Sequence, residues 1–122
     1  MRITTKDVQS AMSKTNIVLC QDVYVEYKNE HILACPIGVL YLAFNHAAAS
    51  LLMQAEWSIR SRVIFWAKKI YGSSYTFGFI AGFDGAALDE LPNAYHDGAV
   101  DGISVRNDFG FLPSESFESK IL

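Results

Sequence analysis

The most constraining feature of this chain is a pattern written twice. Tyr75-Thr-Phe-Gly78-Phe-Ile-Ala-Gly82 and Tyr95-His-Asp-Gly98-Ala-Val-Asp-Gly102 are both Tyr-x-x-Gly-x-x-x-Gly, the second copy twenty residues after the first. Residues four apart stack on one face of a helix, so each copy predicts a helix with a glycine strip. A glycine inside a helix costs on the order of 1 kcal/mol relative to alanine. Two per helix therefore call for a packing reason, and the close approach of another backbone supplies one. The same spacing serves apolar membrane helices, but Asp97 and Asp101 within the second copy point to packing inside a soluble protein.

The rest of the chain also reads mainly as helix. Thr4 and Thr5 ahead of Asp7 look like a cap with an acidic first turn, leading into Val8, Ala11 and Met12. Residues 17–27 are rich in β-branched and aromatic side chains and make the best strand candidate. It has no comparably clear partner, so it must pair with a weak neighbour or with another subunit. Cys35-Pro36 then opens a helix, proline being tolerated at the first helical position. That helix is expected to run to about Gln54 and, being apolar on several faces, to form the centre of the core.

Residues 57–72 predict an amphipathic helix with Ile59, Val63, Trp66, Ala67 and Ile70 on one side, Arg62 and Lys69 opposite, and a stop at Tyr71-Gly72. Asp84-Gly85 and Pro92-Asn93 punctuate the stretch between the glycine segments, with one or two helical turns over 86–91. Asn107 to Gly110 ends the last helix, and residues 111–122 form a polar tail. The expectation is a mainly α single domain over residues 1–122, four to six helices with a minor β element near residues 17–27.

Composition narrows the functional classes. The chain has 122 residues, of which 51% are hydrophobic, enough to bury about two thirds of its unfolded surface without a metal or disulfide as staple. Its formal charge of −3 is opposite in sign to that of a general nucleic-acid binder. That small number conceals segregation: residues 57–72 hold four basic side chains and no acidic one, whereas residues 84–122 hold eight acidic and two basic. The longest apolar run, Ala34 to Phe44, is about half the length that a bilayer requires. No secretory h-region follows the charged amino terminus, and two cysteines are too few for a disulfide framework. These point to a cytoplasmic protein without membrane or nucleic-acid partners.

Few residues offer chemistry. Cys35 at a helix N-cap, with His31 four residues earlier, is a candidate thiol site, since unpaired N–H groups and the helix dipole favour a thiolate. The bland alternative is a buried structural cysteine. His46, in an apolar helix, with Tyr41 and Trp66, is a candidate ligand pocket, against the plainer reading of a satisfied core histidine. Asp97 and Asp101 share a helix face but follow no Ca²⁺-loop pattern, and solvated carboxylates are the default. No histidine or cysteine spacing matches a metal site, and Gly78, Gly82 and Gly85 match no phosphate-binding signature. No metal and no cofactor is implied. Gly78, Gly82, Gly98 and Gly102 are assigned to helix packing. The expected role is a small intracellular interaction or regulatory module without catalytic activity, binding a protein partner or forming a homo-oligomer. The alternative is a small enzyme or ligand binder using the pocket near His46 or the Cys35/His31 thiol.

Overall fold

Helix formation begins where the sequence places a cap. In the computed structural model, which describes residues 1–15, 17–23, 25–28, 31–45 and 56–111, α1 spans Thr5–Ser13. The Thr4 hydroxyl accepts the Asp7 amide at 3.2 Å, and the Asp7 carboxylate accepts the Thr4 amide at 3.0 Å. This reciprocal box satisfies two donors that would otherwise be orphaned at the helix start. It also sets the face that buries Val8 and Ala11.

The strand candidate is real but broken. Strand β1 is Ile17–Leu19 and β2 is Val25–Lys28, separated by a bend in which Asp22 has φ 65°. A third strand, β3, spans His31–Ala34, and the order is β1-β3-β2. The partner that the sequence left open is thus supplied within the chain. β3 pairs in parallel with β1, Ile17 opposite Ile32, and antiparallel with β2, Val25 opposite Ala34. Alternation, though too short to recognise in sequence, operates: Ile17 and Leu19 are buried while Val18 faces out. The bend is anchored on the far helix, Gln21 donating to the Phe83 carbonyl at 2.7 Å and Asp84 accepting the Asp22 amide at 2.9 Å.

Helix α2, Pro36–Phe44, opens at the Cys35 N-cap and buries every residue from Pro36 to Leu42. It is the core helix that the sequence predicts, but it ends at Phe44 rather than near Gln54: Asn45 leaves the helical conformation with φ −130° and ψ 67°, and its side chain donates to the Tyr41 carbonyl at 2.8 Å. The remainder of the predicted helix, including His46, lies outside the described residues. Helix α3 is Glu56–Tyr71. On it Val63 and Ala67 are fully buried and Arg62 and Lys69 exposed, but Ile70 is 42% exposed. Tyr71 takes the inward position instead, its ring 6.0 Å from that of Trp66.

Gly72, with φ 88°, turns the chain from α3 into α4, Ser73–Phe83, a conformation that disfavours any residue with a Cβ. After α4, 3₁₀ turns at Leu88–Glu90 and Asn93–Tyr95 lead into α5, His96–Asp108. Cβ atoms added at Gly98 and Gly102 would lie within 3.0 Å of the Tyr75 carbonyl and Phe79 amide, and of the Phe79 carbonyl and Phe83 amide, respectively. Cβ atoms added at Gly78 and Gly82 would do the same to Tyr95 and to Ala99. Contacts therefore advance together along α4 and α5, so the two helices run parallel and the two glycine strips face each other. The repeat acquires a physical meaning here. Each copy meets the other through equivalent positions about a local two-fold relation, with the backbones as close as glycine permits.

Parallel helices place like dipole ends together, an arrangement that needs compensation. Arg106, buried on α5, donates to the Gly82 carbonyl at 3.1 Å and puts a cation at the negative end of α4. A second lock joins the amino terminus. Tyr75 donates to Asp101 at 2.6 Å and accepts the Ile3 amide at 2.7 Å, while Arg2 reaches Asp101 at 2.8 Å. The core formed by these elements runs from Ile3 through the sheet and α2 to Phe79, Phe83 and Val105. The fold is mainly helical, five α-helices and a small three-stranded sheet among the described residues.

Candidate functional site

A short apolar helix ending against an amphipathic one brings a buried ring, Tyr41, against a half-buried indole, Trp66. Tyr41 on the last turn of α2 lies 5.7 Å from Trp66 on α3, ring centre to ring centre, and Phe44 lies 6.1 Å from the same indole. Tilted aromatic packing of this kind contributes roughly 0.5–1.5 kcal/mol per pair beyond area burial. The stack continues inward through Tyr71, Tyr75 and Phe79 at 6.0–6.3 Å. The exposed Phe44 ring is thereby linked through half-buried rings to Phe79 in the core.

Above Tyr41 and Trp66 is an open groove of about 520 Å³, walled also by Ser61, Arg62, Phe65 and Lys69. Phe65 is 62% exposed, an unusual position for a phenyl ring. Its spacing from Arg62 and Lys69, three and four residues, puts all three on one outward stripe of α3. Lys69 sits 4.6 Å over the Phe65 ring, and Lys68 sits 4.8 Å over Phe77. Such cation–ring contacts at the surface contribute about 0.5–1 kcal/mol. Among the described residues the groove's lining contains no carboxylate. The site combines apolar area with two cations, and so is chemically suited to an anionic, apolar surface.

The candidate residues from sequence are distributed as follows. Tyr41 and Trp66 share this groove, and His46 lies outside the described residues. Cys35 and His31 are at opposite ends of β3. Four residues of extended chain separate their backbones by roughly 13 Å, and His31 is exposed whereas Cys35 is 2% exposed. Burial pushes the Cys35 thiol up to about 12, outweighing the N–H groups of Gly38 and Ile37 that favour a thiolate. Burial also raises Cys20, to about 11, with Glu26 adding to the effect. Helix-end activation of Cys35 is overcome because desolvation of a charge exceeds what two amides return.

Asp101 is neither solvated nor paired with Asp97. Burial works against its charge, but hydrogen bonds from Arg2 and Tyr75 and the nearby guanidinium hold its carboxyl below the usual aspartate value. The Tyr75 hydroxyl is raised, first by burial and then by Asp101. No sequence signal pointed to this cluster, because Arg2 and Asp101 are 99 positions apart. Phe65, by contrast, carried a signal: an aromatic residue between basic ones at helical spacing.

Among the described residues no group of three or more His, Cys, Asp or Glu is placed to hold a metal ion. Nor is any helix among them long and apolar enough to cross a membrane. The chain matches no protein-family model, no curated protein and no solved structure.

Proposed function

We propose that this protein is a small non-catalytic interaction module of the cytoplasm that self-associates through the α3 groove. The observation that carries the proposal is Phe65, 62% exposed between Arg62 and Lys69 beside the Tyr41–Trp66 pair. An aromatic anchor with cationic neighbours is the composition of a recognition surface, in which Trp, Tyr and Arg dominate binding energy. Two free thiols, Cys20 and Cys35, suit a reducing compartment.

Charge complementarity favours a second copy as occupant. The outward stripe of α5 carries Asp97, Val100 and Asp108, all exposed, and matches the apolar-and-cationic stripe of α3 with an apolar-and-anionic one. α4 lies between these helices and contacts both. A surface on α3 meeting a different surface on α5 joins copies either reciprocally, in a two-fold dimer, or head to tail, in a ring or an open series. The pairing of β1 and β2 with β3 removes the unpaired strand as a reason for association, and the α3 groove takes its place.

Sedimentation velocity across micromolar concentrations tests this. The expected result is a weight-average mass that rises above 13.6 kDa with concentration and falls with added salt. Phe65→Ser and Lys69→Glu should each return it to one chain. A mass of 13.6 kDa at every concentration and salt overturns the proposal. A second reading, a ligand-binding protein, is favoured by the Tyr41–Trp66 rings with Arg62 and Lys69 beside them, which suit the ring and the charge of an aromatic carboxylate. Quenching of Trp66 by an aromatic carboxylate without any change of mass would favour it.

A further inference from the structure

A second concave site lies on another side of α2, between α1, the end of α2 and the end of α3. It encloses about 410 Å³, within the range of small-molecule pockets, and is more enclosed than the α3 groove. Its walls include Leu40, Ala43 and Phe44, and its mouth carries Arg2, Asp7 and Lys14. Two of those three charges are already committed. The Arg2 guanidinium is held by Asp101, and the Asp7 carboxylate closes the capping box of α1. Lys14 is exposed and, among the described residues, has neither an ion pair nor a side-chain hydrogen bond. The cavity therefore offers an apolar interior with the uncommitted Lys14 ammonium at its edge. Phe44, 71% exposed at that edge, is apolar surface that an occupant would remove from water.

We propose that this cavity binds a small amphiphilic anion, an apolar chain or ring carrying a carboxylate, with the body against Leu40, Ala43 and Phe44 and the carboxylate on the Lys14 ammonium. An apolar body supplies affinity through buried area, while a single charge fixes orientation. A cationic amphiphile of the same length would meet Lys14 as a like charge and have only the engaged Asp7 to offset it. This ligand site is separate from the self-association surface and does not depend on it.

The fold contains a reporter for the test. Trp66 packs 6.1 Å from Phe44 and 6.0 Å from Tyr71, both of which line the cavity. In a Trp57→Phe background Trp66 is the sole tryptophan. Titrating the full chain with decanoate below its micelle concentration should give a saturable change in Trp66 emission, and decylamine should bind roughly fivefold or more weakly. Lys14→Glu, at an exposed position, should weaken decanoate by a similar factor and leave the circular dichroism unchanged. Ala43→Phe, which fills the cavity, should abolish binding. If Ala43→Phe fails to fold, the Lys14→Glu comparison decides alone. The absence of a saturable change, equal binding of decylamine, or undiminished decanoate binding by Lys14→Glu would overturn the proposal.

Discussion

Replacing Gly82 by alanine sets two effects against each other, and the structure decides which is larger. In a helix interior the change should stabilise by up to about 1 kcal/mol, because alanine loses less conformational freedom on folding. At Gly82, however, the new Cβ would sit 2.5 Å from the Ala99 carbonyl oxygen and 3.0 Å from its Cα, where ordinary contact begins at 3.4 Å. Both atoms are backbone, so neither can rotate aside, and α5 would have to retreat by about 0.9 Å. A gap of ~0.5–1 Å forfeits a quarter to a half of each dispersion contact it opens, and overpacking of this kind costs roughly 1–3 kcal/mol or more. The displacement also strains the Arg106 hydrogen bond to the Gly82 carbonyl. We expect the cost to exceed the gain by about 1–2 kcal/mol, read as a lower urea midpoint at unchanged m-value and a melting temperature lower by roughly 4 °C per kcal/mol. Ser104→Ala, on the exposed face of α5, is the control and should lie within about 0.5 kcal/mol of the parent. If Gly82→Ala matches the parent or exceeds it in stability, the backbone contact between α4 and α5 is not what selects glycine.

Three further outcomes follow from the buried and semi-buried polar groups. Tyr75→Phe removes the acceptor for the Ile3 amide and a donor to Asp101, and should cost about 1–3 kcal/mol while speeding amide exchange at Ile3; unchanged exchange would show that the amino-terminal arm is held by other contacts. Asp101 is held below its unfolded value near 3.8, so its contribution is present above that pH and fades as pH falls through the folded-state value. Asp101→Asn should therefore flatten the acid limb of a stability-versus-pH curve below about pH 4 and lower stability at neutral pH. A limb as steep as the parent's would assign acid sensitivity to other carboxylates. Cys35, with its thiol pushed up to about 12, should resist alkylation at pH 8 in the folded protein and react once urea unfolds it. Labelling at the rate of a free cysteine would place Cys35 at an accessible surface.

Local signals foretold the elements whose causes are local. The capping box at Thr4 and Asp7, the start of α2 at Pro36, the stop at Tyr71-Gly72 and the glycine strips all depend on a few neighbouring residues. β3 was not legible, because four residues are too few to display a period and its identity depends on strands either side of it. The inward side of α3 was read correctly at Val63 and Ala67 but not at Ile70, since the helical wheel knew nothing of Tyr71 turning towards Trp66. In the α3 groove the types of residue were legible and their arrangement was not. Phe65 with Arg62 and Lys69 is a pattern along one helix, whereas the approach of Tyr41 to Trp66 joins two.

The sequence by itself predicted two helices that each present a bare backbone strip, because glycines four apart share one helix face and their cost within a helix calls for a close backbone neighbour. What only the tertiary structure decided is that the strips are each other's partner, in parallel, with Arg106 at the end of α4 and Asp101 tied to both Tyr75 and Arg2. The physical reason is the range of the interactions. Propensity, capping and glycine's freedom act within one turn of chain, and a repeat makes them readable. Orientation, pairing and the desolvation of Cys35 depend on atoms that are distant in sequence and adjacent only after folding.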